Sequence, residues 1–164
     1  MHCSLARGLE IVGDWWSPLI LRDLYLGIDR FDALVTDLGL SRNVLTDRLE
    51  SLIRGGVVAK VADQHHPRRG RYMLTEAGRE LMPILMAMTA WGDKWAASDD
   101  GPPLFFHHDR CGEQFVPTVR CSSCGQKIDA AEVTARPGPG GKTAPGTMLV
   151  AAMLADGAGQ PNGG

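Results

Sequence analysis

The chain has 164 residues, of which 44% are hydrophobic and 22% charged, and its formal net charge is −2. These values suit one soluble globular domain with an appendage, and they speak against a protein that coats polyanions indiscriminately. No apolar run approaches the roughly 20 residues that span a bilayer, and no basic stretch followed by an apolar one opens the chain; the expectation is a cytoplasmic protein with reduced thiols and no membrane partner.

Leu5, Leu9 and Val12 recur at helical spacing and predict a helix over residues 3–13. Ser17-Pro18 reads as a second helix start, with a side-chain oxygen at the cap and a proline where a missing N–H costs nothing. That helix is apolar on several sides and stops at Gly27. Asp29 is placed to cap a third helix carrying Phe31, Leu34, Val35 and Leu38, with Gly39 as its stop. Ser41 caps a fourth. Its apolar face is Val44, Leu45, Leu49, Leu52 and Ile53, and Arg42, Asn43, Thr46, Asp47 and Glu50 fall largely elsewhere. The third and fourth helices make a helix-turn-helix.

Residues 57–61 read as a short strand and residues 71–74 as its return. Between Lys60 and Arg71 stand four Lys or Arg, two His and one acid, Asp63, so the loop is a local basic feature on a neutral body. A helix feeding a basic two-stranded ribbon is the layout of a winged helix, which offers a helix to the major groove and a loop to the neighbouring phosphates. Thr75 begins a long helix reaching about Ala97, which Pro83 should kink or interrupt. Leu81, Leu85, Met88, Gly92 and Trp95 lie at alternating spacings of four and three, a heptad-like seam that one chain cannot cover, so a homodimer is expected through Leu81, Leu85, Met88 and Trp95. The expected fold is mainly α with a small β-wing over residues 1–97, a Cys-rich β-ribbon over 104–134, and a disordered Gly/Pro/Ala-rich tail over 135–164 in which residues 148–154 form at most a transient helix.

Arg42 and Asn43, with Thr46 and Asp47, are the candidate base readers, because arginine pairs with guanine and asparagine with adenine in the major groove. The bland alternative is an ordinary solvated helix face. Arg68, Arg69 and Arg71 are candidate phosphate contacts, and the alternative is a charged hairpin tip without a partner. His65 and His66 read as a solvated loop pair rather than metal ligands. His108-x2-Cys111 and Cys121-x2-Cys124 are two knuckles suited to one tetrahedral Zn2+ per chain, with His107 an alternative ligand. Gly112 and Gly125 follow the knuckles, and Phe115, Val116 and Val119 supply the packing of a ribbon. A metal-free hairpin is the competing reading. Cys3 stands near the start of the first helix beside Arg7, as a reactive thiol or as a small packing residue. No phosphate-binding glycine loop, nucleophile elbow or paired carboxylates point to an enzyme.

The run from Cys3-Ser4-Leu5-Ala6-Arg7 through Val12-Gly13-Asp14-Trp15-Trp16-Ser17-Pro18-Leu19-Ile20-Leu21-Arg22-Asp23-Leu24 resembles the opening of HxlR-type transcriptional regulators. Arg30-Phe31, Leu45-Thr46-Asp47-Arg48-Leu49, Gly55-Gly56, Tyr72-Met73-Leu74-Thr75-Glu76-Ala77-Gly78 and Trp91-Gly92 continue the likeness in order over residues 3–97. The resemblance implies a dimeric winged-helix protein that binds double-stranded DNA, related in architecture to MarR-type proteins. It also implies a sensing role for Cys3, since several members respond to oxidants or electrophiles through a cysteine near the first helix. The wing, Pro67-Arg68-Arg69-Gly70-Arg71-Tyr72, departs from the common pattern, and the Cys module resembles an extension of only some members.

The reading is therefore a homodimeric transcriptional regulator with an unknown small-molecule or oxidant effector. Its two recognition helices would occupy successive major grooves, and regulation would act on their separation. A zinc-dependent protein-interaction adapter with the winged domain as scaffold is the alternative, and an enzyme ranks last.

Overall fold

The computed structural model describes residues 2–62 and 70–155. Within them the chain divides into two compact units, residues 11–117 and residues 2–10 with 118–155. The division falls inside the stretch expected to be one Cys-rich module.

Helix α1 (Ser4–Val12) is a little shorter than expected, and its Ile11 and Val12 pack at the edge of the first unit's core. Helix α2 (Ser17–Tyr25) starts at the expected residue but is capped differently. Ser17 is fully buried, and the carboxylate of Asp14 accepts from the backbone N–H of Trp16 at 2.8 Å and of Ser17 at 3.0 Å, and from the Ser17 hydroxyl. A buried hydroxyl needs an acceptor of its own, so the cap comes from the acid outside the helix. Burial pushes the Asp14 carboxyl up, but the hydrogen bonds from Ser17 and Trp16, with Arg48 at 3.7 Å, outweigh it and hold it below its ordinary range.

Helix α3 (Phe31–Leu38) carries no side-chain cap. Arg30 occupies the cap position, and Asp29, expected there, is engaged elsewhere. Gly39 ends α3 at φ 63°, as a tight turn requires. Ser41 caps α4 (Arg42–Arg54) as expected, accepting from Val44 N–H at 3.4 Å. Leu45, Leu49 and Leu52 of α4 are buried against Ile20, Leu21 and Leu24 of α2 and Leu34 of α3, while Ile53 sits at the rim. Each such side chain contributes about 1.5–3 kcal/mol of burial. Asp23 is buried beside this core. Burial pushes its carboxyl up, opposed by Arg22, whose Nε and Nη2 donate to Asp23 Oδ1 at 2.8 and 2.6 Å.

Strands β1 (Val58–Val61) and β2 (Arg71–Leu74) pair antiparallel from Val58↔Leu74 to Val61↔Arg71, forming the wing. Helix α5 (Glu76–Trp95) begins where expected, with Thr75 accepting from Gly78 N–H at 3.2 Å and donating its hydroxyl to Gly56 O at 2.6 Å. Gly78 is buried, and a Cβ there would lie 2.1 Å from the Val57 carbonyl oxygen. Pro83 does not interrupt α5, which is assigned as one helix, and Pro83 itself is exposed.

The exposed stripe is rotated slightly around α5 from the expected seam. Leu81 and Leu85 pack against the chain's own core, beside Met82. The uncovered stripe of α5 is Ile84, Met88, Trp91 and Trp95, at spacings of four, three and four, each at least 57% exposed. Met88 and Trp95 belong to both stripes, whereas Leu81 and Leu85 are partly buried against the core.

Beyond α5, β3 (Phe106–His108) and β4 (Glu113–Phe115) form a hairpin in which Phe106 faces Phe115 at 6.3 Å between ring centroids. In the second unit, Arg120 and Lys127 pair across the Cys121–Cys124 turn, a 3-10 turn covers Ala130–Glu132, and α6 (Met148–Ala155) is a short, almost wholly apolar helix within the stretch expected to be tail. No described residue from 118 to 155 is buried, and the expected packing of Val116 and Val119 is absent, since both are more than 60% exposed. Among the described residues, no helix is long and apolar enough to cross a membrane.

Candidate nucleic-acid interface

The start of α4, the start of α3 and the root of the wing enclose an open cleft of about 840 Å³. Arg42, Thr46 and Glu50 line it from α4, Arg30 and Asp32 from α3 and the residue before it, and Lys60 and Tyr72 from the wing strands. Of the four expected base readers, Arg42 and Thr46 thus share this cleft. Asn43 and Asp47 are exposed on the same polar side of α4, outside it. The arrangement follows from α4's pattern: its leucines face inward, so its first-turn polar residues face out.

Arg42 is held. Its Nη1 donates to Asp32 Oδ1 at 2.6 Å, and its guanidinium lies 4.8 Å from the centroid of Phe31. The ion pair is two-thirds exposed on both sides, so it adds little stability, but it orients the guanidinium. Other N–H donors of the planar fork stay available for a base edge or a phosphate. Thr46 donates its hydroxyl to Arg42 O at 2.9 Å, the usual resting bond of a helical threonine. Lys60 sits 5.7 Å from the Tyr72 ring centroid, placing another cation at the wing root.

Arg71 has a role that the sequence did not suggest. Its Nε donates to Asp29 Oδ2 at 2.7 Å and its Nη2 pairs with the same oxygen. Tyr72 N–H donates to Asp29 O at 2.9 Å, and the backbone of Arg30 pairs antiparallel with that of Arg71. Arg71 therefore ties β2 to the turn before α3, fixing the wing against the helix-turn-helix. No local pattern links residues 42 apart, which is why Asp29 read as a cap. Asp32 and Phe31, the holders of Arg42, were missed for the same reason: their partnership exists only once α3 and α4 have docked. Arg68, Arg69, His65 and His66 lie outside the described residues.

Of the thiols, Cys3 is half-buried just before α1, and its carbonyl accepts from Arg7 N–H at 3.0 Å. The Arg7 guanidinium, expected to act on Cys3, donates to His2 O and Ser4 Oγ at 2.9 and 2.8 Å. The two knuckles are described separately, because they fall in different units. In the first, Gly112 N–H donates to His108 O at 2.8 Å, and Cys111 Sγ lies 3.5 Å from His108 Nδ1. In the second, Gly125 N–H donates to Cys121 O at 2.8 Å. Backbone N–H groups of Cys124 and Ser123 point at the Cys121 sulfur and lower its pKa. Gly112 and Gly125 both take φ 73°. The lowered pKa favours the thiolate of Cys121, the form in which a cysteine binds a metal. Among the described residues, however, no group of three or more His, Cys, Asp or Glu is gathered closely enough to hold a metal ion.

A family model described as HxlR-like helix-turn-helix matches residues 11–100, more than half of the chain. An uncharacterised HTH-type transcriptional regulator of Mycobacterium tuberculosis is 41% identical over 139 residues, covering 85% of this chain and 88% of its own. A solved structure of a candidate transcription factor, PA1607, superposes with a TM-score of 0.74 at 31% identity, covering 83% of this chain and 95% of its own. The oxidised form of the redox regulator HypR superposes with a TM-score of 0.52 at 28% identity, over 56% of this chain and 96% of its own.

Proposed function

The chain belongs to the HxlR-like helix-turn-helix family of transcriptional regulators, and on that footing we propose that it reads a pseudo-palindromic DNA site as a homodimer and answers to an oxidant or small-molecule effector. The carrying observation is the outward polar first turn of α4, where Arg42 is oriented by Asp32 and Phe31 beside the wing root. Arg42 and Asn43 contact base edges, Thr46 and Asp47 border them, and Arg68 and Arg69 of the wing loop neutralise phosphates. Arg71 acts through Asp29 as a positioning residue for that wing.

The dimer reading is supported by the stripe of Ile84, Met88, Trp91 and Trp95, which has the spacing of a helix seam and no cover within the described chain. The redox reading is supported by the place of Cys3 before α1 and by the likeness to HypR. Zinc on His108, Cys111, Cys121 and Cys124 stays part of the proposal on the two-residue spacing within each pair. The metal would supply a cross-link to a stretch with no buried side chain.

The test is binding to DNA from the protein's own upstream region against a scrambled duplex. Arg42→Ala should lose about 1–3 kcal/mol on the cognate site and far less on the scrambled one. Equal losses on both would make Arg42 a phosphate contact, and no preference in the wild type would sink the regulator reading. In sedimentation, Met88→Asp should dissociate the dimer. A wild type that sediments as a monomer at micromolar concentration would remove the dimer from the proposal.

A further inference from the structure

A second cleft, of about 490 Å³, lies within the first unit, where the β3–β4 hairpin meets α5 and the end of α2. Its volume falls in the range of small-molecule pockets. The apolar side of the cleft is Met82 and Met86 from α5, Tyr25 from α2, and Phe106 and Phe115 from the hairpin. Three aromatic rings and two thioethers favour a flat aromatic body over an alkyl chain, through edge and sulfur contacts. The charged groups in the wall are Arg79, Arg110 and Asp109, beside His107 and His108, the latter also one of the proposed zinc ligands. Two guanidiniums against one carboxylate leave the cleft cationic, and arginine's fork matches a carboxylate.

We propose that this cleft binds a small aromatic carboxylate, its ring between the α5 methionines and the hairpin phenylalanines and its carboxylate between Arg79 and Arg110. The site is separate from the DNA-facing cleft and shares no residue with it. It also has a route to the wing. Arg79 Nη1 donates to the carbonyl of Leu74, the last residue of β2, at 2.9 Å. An anion drawn to Arg79 competes with that carbonyl for the guanidinium and so acts on the wing's return strand. The regulatory consequence rests on the proposed function, while the binding itself does not.

The test is isothermal titration of the full chain with 1-naphthoate, and with 1-naphthalenemethanol as the uncharged counterpart. Saturable binding of the acid, at least about tenfold tighter than the alcohol, is expected. Arg110→Gln, on the exposed hairpin, should weaken the acid by about tenfold. Met86→Trp should fill the floor and abolish binding, with circular dichroism confirming that each variant is folded. No saturable binding, equal binding of acid and alcohol, or wild-type affinity in folded Arg110→Gln overturns the site. DNA affinity is then measured with and without 1-naphthoate. A shift in the wild type that Arg110→Gln loses supports the route through Arg79, and saturable binding with no shift overturns that route. A chain that binds 1-naphthoate but no DNA sinks the regulator reading and leaves the site standing.

Discussion

The winged body and the stretch from 118 to 155 are built on opposite terms. The body closes around a continuous apolar cluster from Ile20 to Met82, and its polar special positions, Ser17, Asp23 and Asp14, have named partners. Residues 118–155 bury nothing, and their order comes from turn hydrogen bonds around Cys121, the Asp129 cap and the short helix α6. A core made of side chains tolerates no truncation. A stretch made of turns needs a cross-link or a partner to be more than marginal. The two regions should therefore respond to different insults.

If zinc is held as proposed, its removal should give the largest effect, in the second region and at the β3–β4 turn that carries His108 and Cys111. A structural zinc supplies about 10 kcal/mol or more of apparent binding energy, so stripping it should erase amide protection around residues 118–134 while the body's unfolding transition stays in place. Protein purified reduced should carry about one zinc per chain, and Cys121→Ser should release it. Metal-free protein with unchanged protection there would break the contrast. Leu49→Ala should be next, costing the body about 2–5 kcal/mol in denaturant unfolding, because a fully buried leucine leaves a cavity between α2 and α4.

Asp14→Asn is smaller, about 1 kcal/mol for a weakened cap. Its pH signature is specific. The Asp14 pKa is lowered on folding, so its stabilisation is complete above the unfolded carboxylate value near ~3.9 and is lost as pH falls through the depressed folded value. The variant should lose that leg of acid sensitivity, and identical acid-unfolding profiles for both proteins would remove Asp14 from the cap. Val119→Ala should be the least, within about 0.5 kcal/mol, because the side chain is already in water. A larger cost would mean that 118–155 has a core of its own.

The body was legible because its signals are local. Gly39, Ser41 and Thr75 punctuate helices through bonds to neighbours a few residues away, and the leucines of α4 declare their face by spacing. Several departures lie where tertiary packing reassigns a local signal. Ser17 looks like a cap but is buried, so Asp14 caps instead. Asp29 looks like a cap but meets Arg71 across the wing. Leu81 and Leu85 fit a heptad as well as Ile84, Met88 and Trp91 do, and only the docking of α5 decides which set the core takes. At the start of α4, the outward polar face with Arg42 and Thr46 was legible by spacing, and the groups that hold Arg42, Phe31 and Asp32, were not. The cleft beneath the hairpin left no trace in the sequence, because its walls come from α2, α5 and β3–β4 at once.

The contact at Gly78 bears on how such a molecule transmits force. With α5 pressed onto the Val57 carbonyl so closely that no methyl group fits, and Thr75 bonded to Gly56, the helix and the wing root leave no compliant joint between them. If two copies meet along the outer stripe of α5, any rotation of one helix against the other is delivered to the wings as rotation, undamped. The seam is then the hinge, and the distance between the two reading heads is set there rather than within either subunit.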